Sequence, residues 1–155
     1  MKSLINDSLC HQLNPRKIKP VLTFLLVLTF TYAASSKLFD FSGFRSSMAI
    51  QPFPRWISGT LIYLLPAAEL TAVALLLRSS TEFIGYCFSL LLMVAFTGYT
   101  GLVLLHFWND IPCSCGGILG HLSWGPHFVF NVIFLLIAIT GLYTNLLERR
   151  EGGRM

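Results

Sequence analysis

Four long apolar stretches, separated by short polar segments, dominate the hydropathy pattern of this 155-residue chain. Each is close to the roughly 20 apolar residues that a helix needs to cross a bilayer. The predicted spans cover about residues 20–39, 57–77, 83–107 and 127–147. The pattern therefore predicts an all-α protein: a four-helix transmembrane bundle over residues 20–147, with polar tails at 1–19 and 148–155.

The loop between the first two spans, residues 40–56, carries apolar side chains at near-helical spacing, namely Phe41, Phe44 and Met48. Ser42 is a candidate helix cap. This spacing predicts a short amphipathic helix that lies in the membrane interface in the first outer loop.

The composition agrees with a membrane protein, because 54% of the residues are hydrophobic and only 12% are charged, against roughly 25% in a soluble domain. The formal charge of +4 does not indicate a nucleic-acid partner, since basic residues beside membrane spans report orientation first. The segment Thr31–Ser36 has small residues typical of a signal-peptidase site. The apolar run continues to Phe39, however, which favours an uncleaved first span.

The basic residues are divided unevenly between the two sides of the predicted bundle. Eight of the 11 Lys and Arg residues lie in the two tails and in the 78–82 turn, whereas Lys37, Arg45 and Arg55 lie on the other side. The positive-inside rule then predicts cytoplasmic termini in a bacterial inner membrane, with membrane lipid as a partner and the loop at 109–125 facing the periplasm.

That loop contains Cys113 and Cys115, followed by Gly116 and Gly117. Two thiols one residue apart can form a disulfide only on a sharp turn, which the glycines permit. Such a small ring should be strained and quick to exchange. The predicted compartment permits disulfides, so Cys113 and Cys115 are the candidate exchanging pair. Two ordinary loop residues are the simpler alternative.

Three histidines are predicted on the cysteine side: His106, His121 and His127. A nearby imidazolium lowers the pKa of a thiol and raises its thiolate fraction, so His106 and His121 are candidate supporting residues. Thiolates and imidazoles also bind Cu(I) or Zn(II). The alternative is therefore a metal site formed by Cys113, Cys115, His121 and His127.

Glu69 is unusual because it falls near the middle of the second span, where a carboxylate costs about 2.5–3.5 kcal/mol on insertion scales. It should face the bundle and form a hydrogen bond, for example to Thr97, Tyr99 or Thr100, so Glu69→Gln should insert almost normally. Lys37 lies near the end of the first span and should extend to the interface. The helix rise separates the two residues by about 10 Å in depth, which predicts no direct contact.

A family resemblance rests on Lys37-Leu38-Phe39 at the end of the first span, on Leu64 to Glu69 in the second, and on the Cys113 to Gly117 loop before the last. In this order they resemble the MauE/DoxX superfamily, and the cysteine loop resembles its MauE branch. The resemblance implies a role in forming disulfides in an exported protein beside a thioredoxin-like partner. DoxX relatives are associated with quinone-linked sulfur oxidation, which makes a quinone a candidate electron acceptor.

The residues and the resemblance together predict thiol–disulfide redox work on exported proteins, supported by Lys37 and Glu69. The chain is either a thiol–disulfide oxidoreductase or an accessory to one, because a relay within one chain usually needs a second cysteine pair. A Cu- or Zn-handling membrane protein and a non-catalytic subunit of a membrane complex are the alternatives.

Overall fold

Helices account for most of the chain that the structure describes, which in this computed structural model is residues 15–108 and 123–152. The helices are α1 (Pro15–Phe39), α2 (Phe41–Ala49), α3 (Arg55–Leu77), α4 (Glu82–Leu104) and α5 (Trp124–Gly152). Within those residues there is no β-strand. The predicted all-α bundle with a short helix in the first loop is confirmed.

Four of these helices are long and apolar enough to cross a membrane. The qualifying stretches are Ile18–Phe39, Arg55–Leu77, Glu82–Leu104 and Trp124–Arg150. At 1.5 Å per residue the shortest of them, with 22 residues, reaches about 33 Å, which exceeds the roughly 30 Å hydrocarbon core of a bilayer. The chain is therefore a multi-pass membrane protein.

The four long helices form a closed ring in which α1 packs on α3 and α5, and α4 packs on the same two helices. Their shared core contains the buried side chains Leu26, Phe30, Ala72, Leu76, Tyr86, Met93 and Ala138. Many large apolar side chains point away from this core, among them Phe24 and Leu91. In a bilayer these side chains contact the lipid tails, which accounts for their exposure in the isolated protein.

Helix α4 ends at Leu104, three residues before Phe107, where the hydropathy pattern predicted the end of the third span. The amide of Phe107 donates to the carbonyl of Leu102 at 3.1 Å, and the amide of His106 donates to Val103 at 3.0 Å. His106 has φ of 54°, so these two bonds form a Schellman motif, which satisfies the last carbonyls and ends the helix. The apolar run continues past this point, which is why hydropathy placed the end too late.

Asp40 is the N-cap of the short helix α2, because its carboxylate accepts a hydrogen bond from the amide of Gly43 at 3.0 Å. Asp40 rather than Ser42 is therefore the cap, and the prediction for Ser42 is wrong. The buried side chains of Phe44 and Met48 pack against Ile62. This contact fixes α2 beside the first turns of α3, and we call that end of the bundle the α2 end.

At the opposite end of the bundle a network of charged side chains joins three helices. The ammonium group of Lys19 on α1 lies 2.9 Å from a carboxylate oxygen of Glu82 on α4, and 2.7 Å from one of Glu148 on α5. Asn145 also donates to Glu82 at 3.1 Å. These contacts hold α1, α4 and α5 together where the hydrophobic core ends.

Gly141 on α5 faces the ring of Tyr86, a side chain that is fully buried and hydrogen-bonded to Thr23 at 2.7 Å. A methyl group at Gly141 would overlap that ring, and the ring cannot move without breaking the hydrogen bond to Thr23.

We expect Gly141→Ala to lower the stability of the purified protein by about 1–3 kcal/mol, measured by thermal unfolding. The matched control is Gly98→Ala in α4, where an added methyl meets no atom of the described residues within 4 Å. That variant should be at least as stable as the wild type, and an equal loss in both would contradict the packing argument.

Candidate functional site

A cavity of about 260 Å³ lies inside the bundle toward the α2 end, and all five helices contribute to its walls. Aromatic and aliphatic side chains form most of the lining, including Phe30, Phe44, Phe96 and Phe130. The polar side chains among them are Thr29, Lys37, Gln51, Glu69, Tyr99, Thr100, His127 and Asn131. An apolar chamber with a few converging polar groups is the usual form of a small-molecule site.

Lys37 and Glu69 form a direct ion pair in this cavity. The ammonium nitrogen of Lys37 lies 2.7 Å from Oε1 of Glu69, and the two side chains are 8% and 1% exposed. Lys37 also donates to the carbonyl of Ala33 at 3.1 Å. The predictions that Lys37 extends to the interface and does not contact Glu69 are therefore wrong.

The helices of the bundle do not all end at the same depth, although the prediction from helix rise required it. Because α2 packs beside the first turns of α3, these turns extend past the end of α1. The last turn of α1, with Lys37, is thus level with the middle of α3, where Glu69 lies. The helix α3 continues unbroken through Pro66, so no unwinding is needed for the contact.

The second carboxylate oxygen of Glu69, Oε2, is buried and has no hydrogen-bond partner among residues 15–108 and 123–152. A buried acceptor without a partner costs about 1–3 kcal/mol, and more when it is charged. The hydrogen bonds predicted for Glu69 with threonine or tyrosine are replaced by the bond to Lys37. Glu69 therefore keeps one buried acceptor atom, in the wall of the cavity, that the described part of the chain leaves unused.

A second polar wall is formed by α4 and α5. The amide nitrogen of Asn131 donates to the hydroxyl of Thr100 at 3.4 Å, and that hydroxyl donates to the carbonyl of Phe96 at 2.9 Å. Tyr99 donates to the side-chain oxygen of Gln51, which joins α4 to the loop after α2. These bonds orient polar side chains toward a space that is otherwise apolar.

A cluster of aromatic rings centred on Tyr99 lies at the α2 end of the cavity. The ring centroid of Tyr99 lies 5.6 Å from Phe53, 6.0 Å from Trp108 and 6.2 Å from Trp124. Trp108 and Trp124 flank the segment that carries the two cysteines. The residues on either side of the cysteine segment, Trp108 and Trp124, therefore both lie beside Tyr99 at the edge of the cavity.

The predicted site residues have different outcomes. Cys113, Cys115 and His121 lie outside the described residues. His106 is exposed and occupies the turn that ends α4, whereas His127 is 5% exposed and lines the cavity. Among the described residues no three His, Cys, Asp or Glu side chains group closely enough to hold a metal ion. The metal alternative therefore depends on Cys113, Cys115 and His121.

Sequence reasoning missed three polar members of the cavity, Thr29, Gln51 and Asn131. Asn131 is a buried amide about two turns after the start of the last apolar span, where a buried polar side chain is also unusual. Gln51 gave no such signal, because it lies in a polar loop and reaches Tyr99 only through the tertiary fold.

The fold and the cavity define an all-α, multi-pass membrane protein with a buried polar site. The sequence profile of the MauE family, described as methylamine utilisation protein MauE, matches residues 15–144. The chain belongs to the MauE family. Comparison with curated proteins and comparison with solved structures gave no match. Membership of this family is consistent with a redox-associated role, and the wider link to DoxX proteins stays a prediction.

Proposed function

We propose that this MauE-family protein carries out thiol–disulfide exchange on exported proteins, with Cys113 and Cys115 as the exchanging pair. The main supporting observation is that Trp108 and Trp124, which flank the cysteine segment, both contact Tyr99 at the edge of the cavity. Cys113 follows Trp108 by five residues, which extend to at most about 18 Å. The covalent chain thus ties the thiols to the neighbourhood of a polar site in the membrane.

The exchange conserves atoms and electrons. A thiolate of the client protein attacks one sulfur of the Cys113–Cys115 disulfide, and the second client thiol then resolves the mixed disulfide. The client gains an S–S bond, and Cys113 and Cys115 take up its two electrons and two protons as thiols. A strained disulfide ring of this size is more oxidising than a structural disulfide, so it favours uptake of the client's electrons and exchanges rapidly. The partner is an exported protein with cysteines or a thioredoxin-like protein that carries the disulfide to it.

The proposed orientation places this chemistry outside the cytoplasm. Basic residues are concentrated at the chain ends and in the 78–82 turn, so the termini are cytoplasmic and the cysteine segment faces the periplasm of a bacterial inner membrane. The polar residues Lys37 and Glu69, together with His106 and His121, have supporting roles in this proposal.

Labelling of intact spheroplasts with a membrane-impermeant thiol reagent tests both the function and the orientation. We expect Cys113 and Cys115 to be labelled strongly after mild reduction and only partly before it, because the pair cycles between dithiol and disulfide. Cys10 should react only after lysis. A Cys113→Ser/Cys115→Ser variant, in which Cys87 is retained, measures the background from the lipid-facing side of α4.

Two results would contradict the proposed exchange, and a third would contradict the proposed orientation. A pair that stays fully reduced under all conditions, with stoichiometric copper or zinc in the purified protein, would favour the metal-handling alternative. If both cysteines can be replaced by serine without any change in client oxidation, the remaining alternative is a non-catalytic subunit of a membrane complex. Labelling of Cys10 in intact spheroplasts would reverse the orientation and remove the oxidising compartment from the argument.

A further inference from the structure

We propose that the cavity holds one acyl chain of a membrane phospholipid, which enters from the bilayer between α3 and α4. This inference does not depend on the proposed exchange function. Three observations support it: the cavity reaches the lipid-facing surface, its opening lies near the middle of the membrane, and its surface is mostly hydrocarbon.

The cavity opens sideways between α3 and α4. Near the turn that joins them, these helices pack backbone to backbone, and a Cβ added at Gly85 would lie 2.8 Å from the amide nitrogen of Leu76. Toward the α2 end the cavity lies between them, with Leu61 and Leu65 of α3 and Ala95 of α4 in its wall. Ala95 is also an exposed residue. The wall of the cavity is therefore continuous there with the surface that contacts lipid.

The opening lies near the middle of the membrane. Ala95 is nine residues, or about 14 Å, before the end of α4 at Leu104, and thirteen residues, or about 20 Å, after its start at Glu82. Both distances place Ala95 well inside a hydrocarbon core of about 30 Å. At that depth the molecules outside the opening are lipid acyl chains, whereas water and headgroups lie at the two membrane surfaces.

The surface of the cavity is mostly hydrocarbon, although polar side chains take part in its wall. Lys37 donates to Glu69 and to the carbonyl of Ala33, and Asn131 donates to Thr100, so these polar groups are engaged within the protein. A buried water needs about two to four polar partners, which a wall of this kind does not favour. An empty cavity would leave its lining without dispersion contacts. An acyl chain supplies those contacts.

The volume of the cavity fits part of a lipid. About 260 Å³ is just below the roughly 300–1,000 Å³ of sites that enclose a whole drug-sized ligand. One acyl chain therefore enters, and the headgroup and the second chain stay in the bilayer. The chain lies beside the ion pair of Lys37 and Glu69 and keeps water away from it, which strengthens the attraction between the two charges.

Photocrosslinking of the full-length protein in phosphatidylcholine nanodiscs tests the site. The probe is a phosphatidylcholine that carries a diazirine in one acyl chain, and mass spectrometry of peptides locates the crosslinks. Crosslinks to lining residues that are more than nine-tenths buried report a chain inside the cavity. We call five of them the inner-wall residues, namely Lys37, Met48, Met93, His127 and Asn131. We expect crosslinks to these residues as well as to the lipid-facing Leu91.

Three variants test the route of entry. Ala95→Trp places a large ring in the opening and should lower crosslinking to the inner-wall residues at least about fivefold. Val94→Trp is the matched control and should leave it unchanged, because Val94 is exposed at the same depth of α4 but is not part of the cavity wall. Ala33→Phe fills the cavity from α1 and should lower inner-wall crosslinking as Ala95→Trp does. Crosslinking to Leu91 should stay constant in all three, and thermal unfolding verifies that each variant is folded.

The outcomes are separate from those of the exchange function. Crosslinks confined to lipid-facing residues, with none on the inner-wall residues, would overturn the inference. Equal losses in Ala95→Trp and Val94→Trp would overturn the entry between α3 and α4. We expect Cys113→Ser/Cys115→Ser to be crosslinked like the wild type, so failure of the proposed exchange leaves the lipid site intact. Cycling of the cysteine pair in a protein without inner-wall crosslinks would remove the lipid site alone.

Discussion

Replacing Glu69 with glutamine is expected to lower the free energy of unfolding by about 3–5 kcal/mol. The substitution keeps the size of the side chain but removes the charge that compensates Lys37, whose ammonium group is buried 2.7 Å away. The position of Glu69 in the sequence predicted the opposite, a variant that inserts almost normally. The direct ion pair reverses that expectation, because the substitution leaves an unpaired charge inside the bundle.

A double-mutant cycle of Lys37→Met, Glu69→Gln and the double variant, in detergent-solubilised protein, measures the effect. The variant Lys37→Met/Glu69→Gln removes both charges and should recover most of the lost stability, since replacing a whole buried ion pair is often neutral. Glu82→Gln is the matched control, because Lys19 keeps Glu148 as a second partner at 2.7 Å. That variant should lose about 1 kcal/mol or less. If the double variant is as unstable as Glu69→Gln alone, the two charges do not act as a pair.

Replacing Cys115 with serine is expected to abolish turnover and to trap Cys113 in a mixed disulfide with an oxidised client or thioredoxin-like partner. The Cys113 thiolate can attack the disulfide of that partner, but the second thiol that would resolve the adduct is missing. We expect Cys113 to be the attacking thiol in this direction of the exchange, because Pro112 fixes the chain just before it. Non-reducing electrophoresis followed by mass spectrometry would detect and identify the adduct.

The companion variants define the roles of the two cysteines. Cys113→Ser should lose turnover equally but accumulate much less adduct, and Cys113→Ser/Cys115→Ser should accumulate none. Cys87→Ser is the control, because that thiol lies within α4 on its exposed side and should have no part in exchange. Full turnover by either single variant would exclude a two-thiol exchange at this pair.

The helices were predictable because each span carries its own signal, a run of about 20 apolar residues. The cap at Asp40 and the turn at His106 were missed, because side-chain capping and a left-handed residue other than glycine leave little trace in hydropathy. Lys37 and Glu69 were recognised singly as unusual. Their pairing was not predicted, because it depends on where α2 packs against α3. The local sequence of two helices does not determine their relative depth in the membrane.

The ion pair between Lys37 and Glu69 also has a consequence for biogenesis. Lys37 is near the end of the first helix and can reach the headgroups while that helix is alone in the bilayer. Glu69 lies in the middle of its helix and has no such route to water. Helix α3 therefore enters the membrane at low cost only if α1 is already beside it, so that the side chain of Lys37 can turn inward and pair with Glu69. Insertion of the two helices is thus coupled, and a chain that fails to pair them leaves a carboxyl group without a partner in the middle of the membrane.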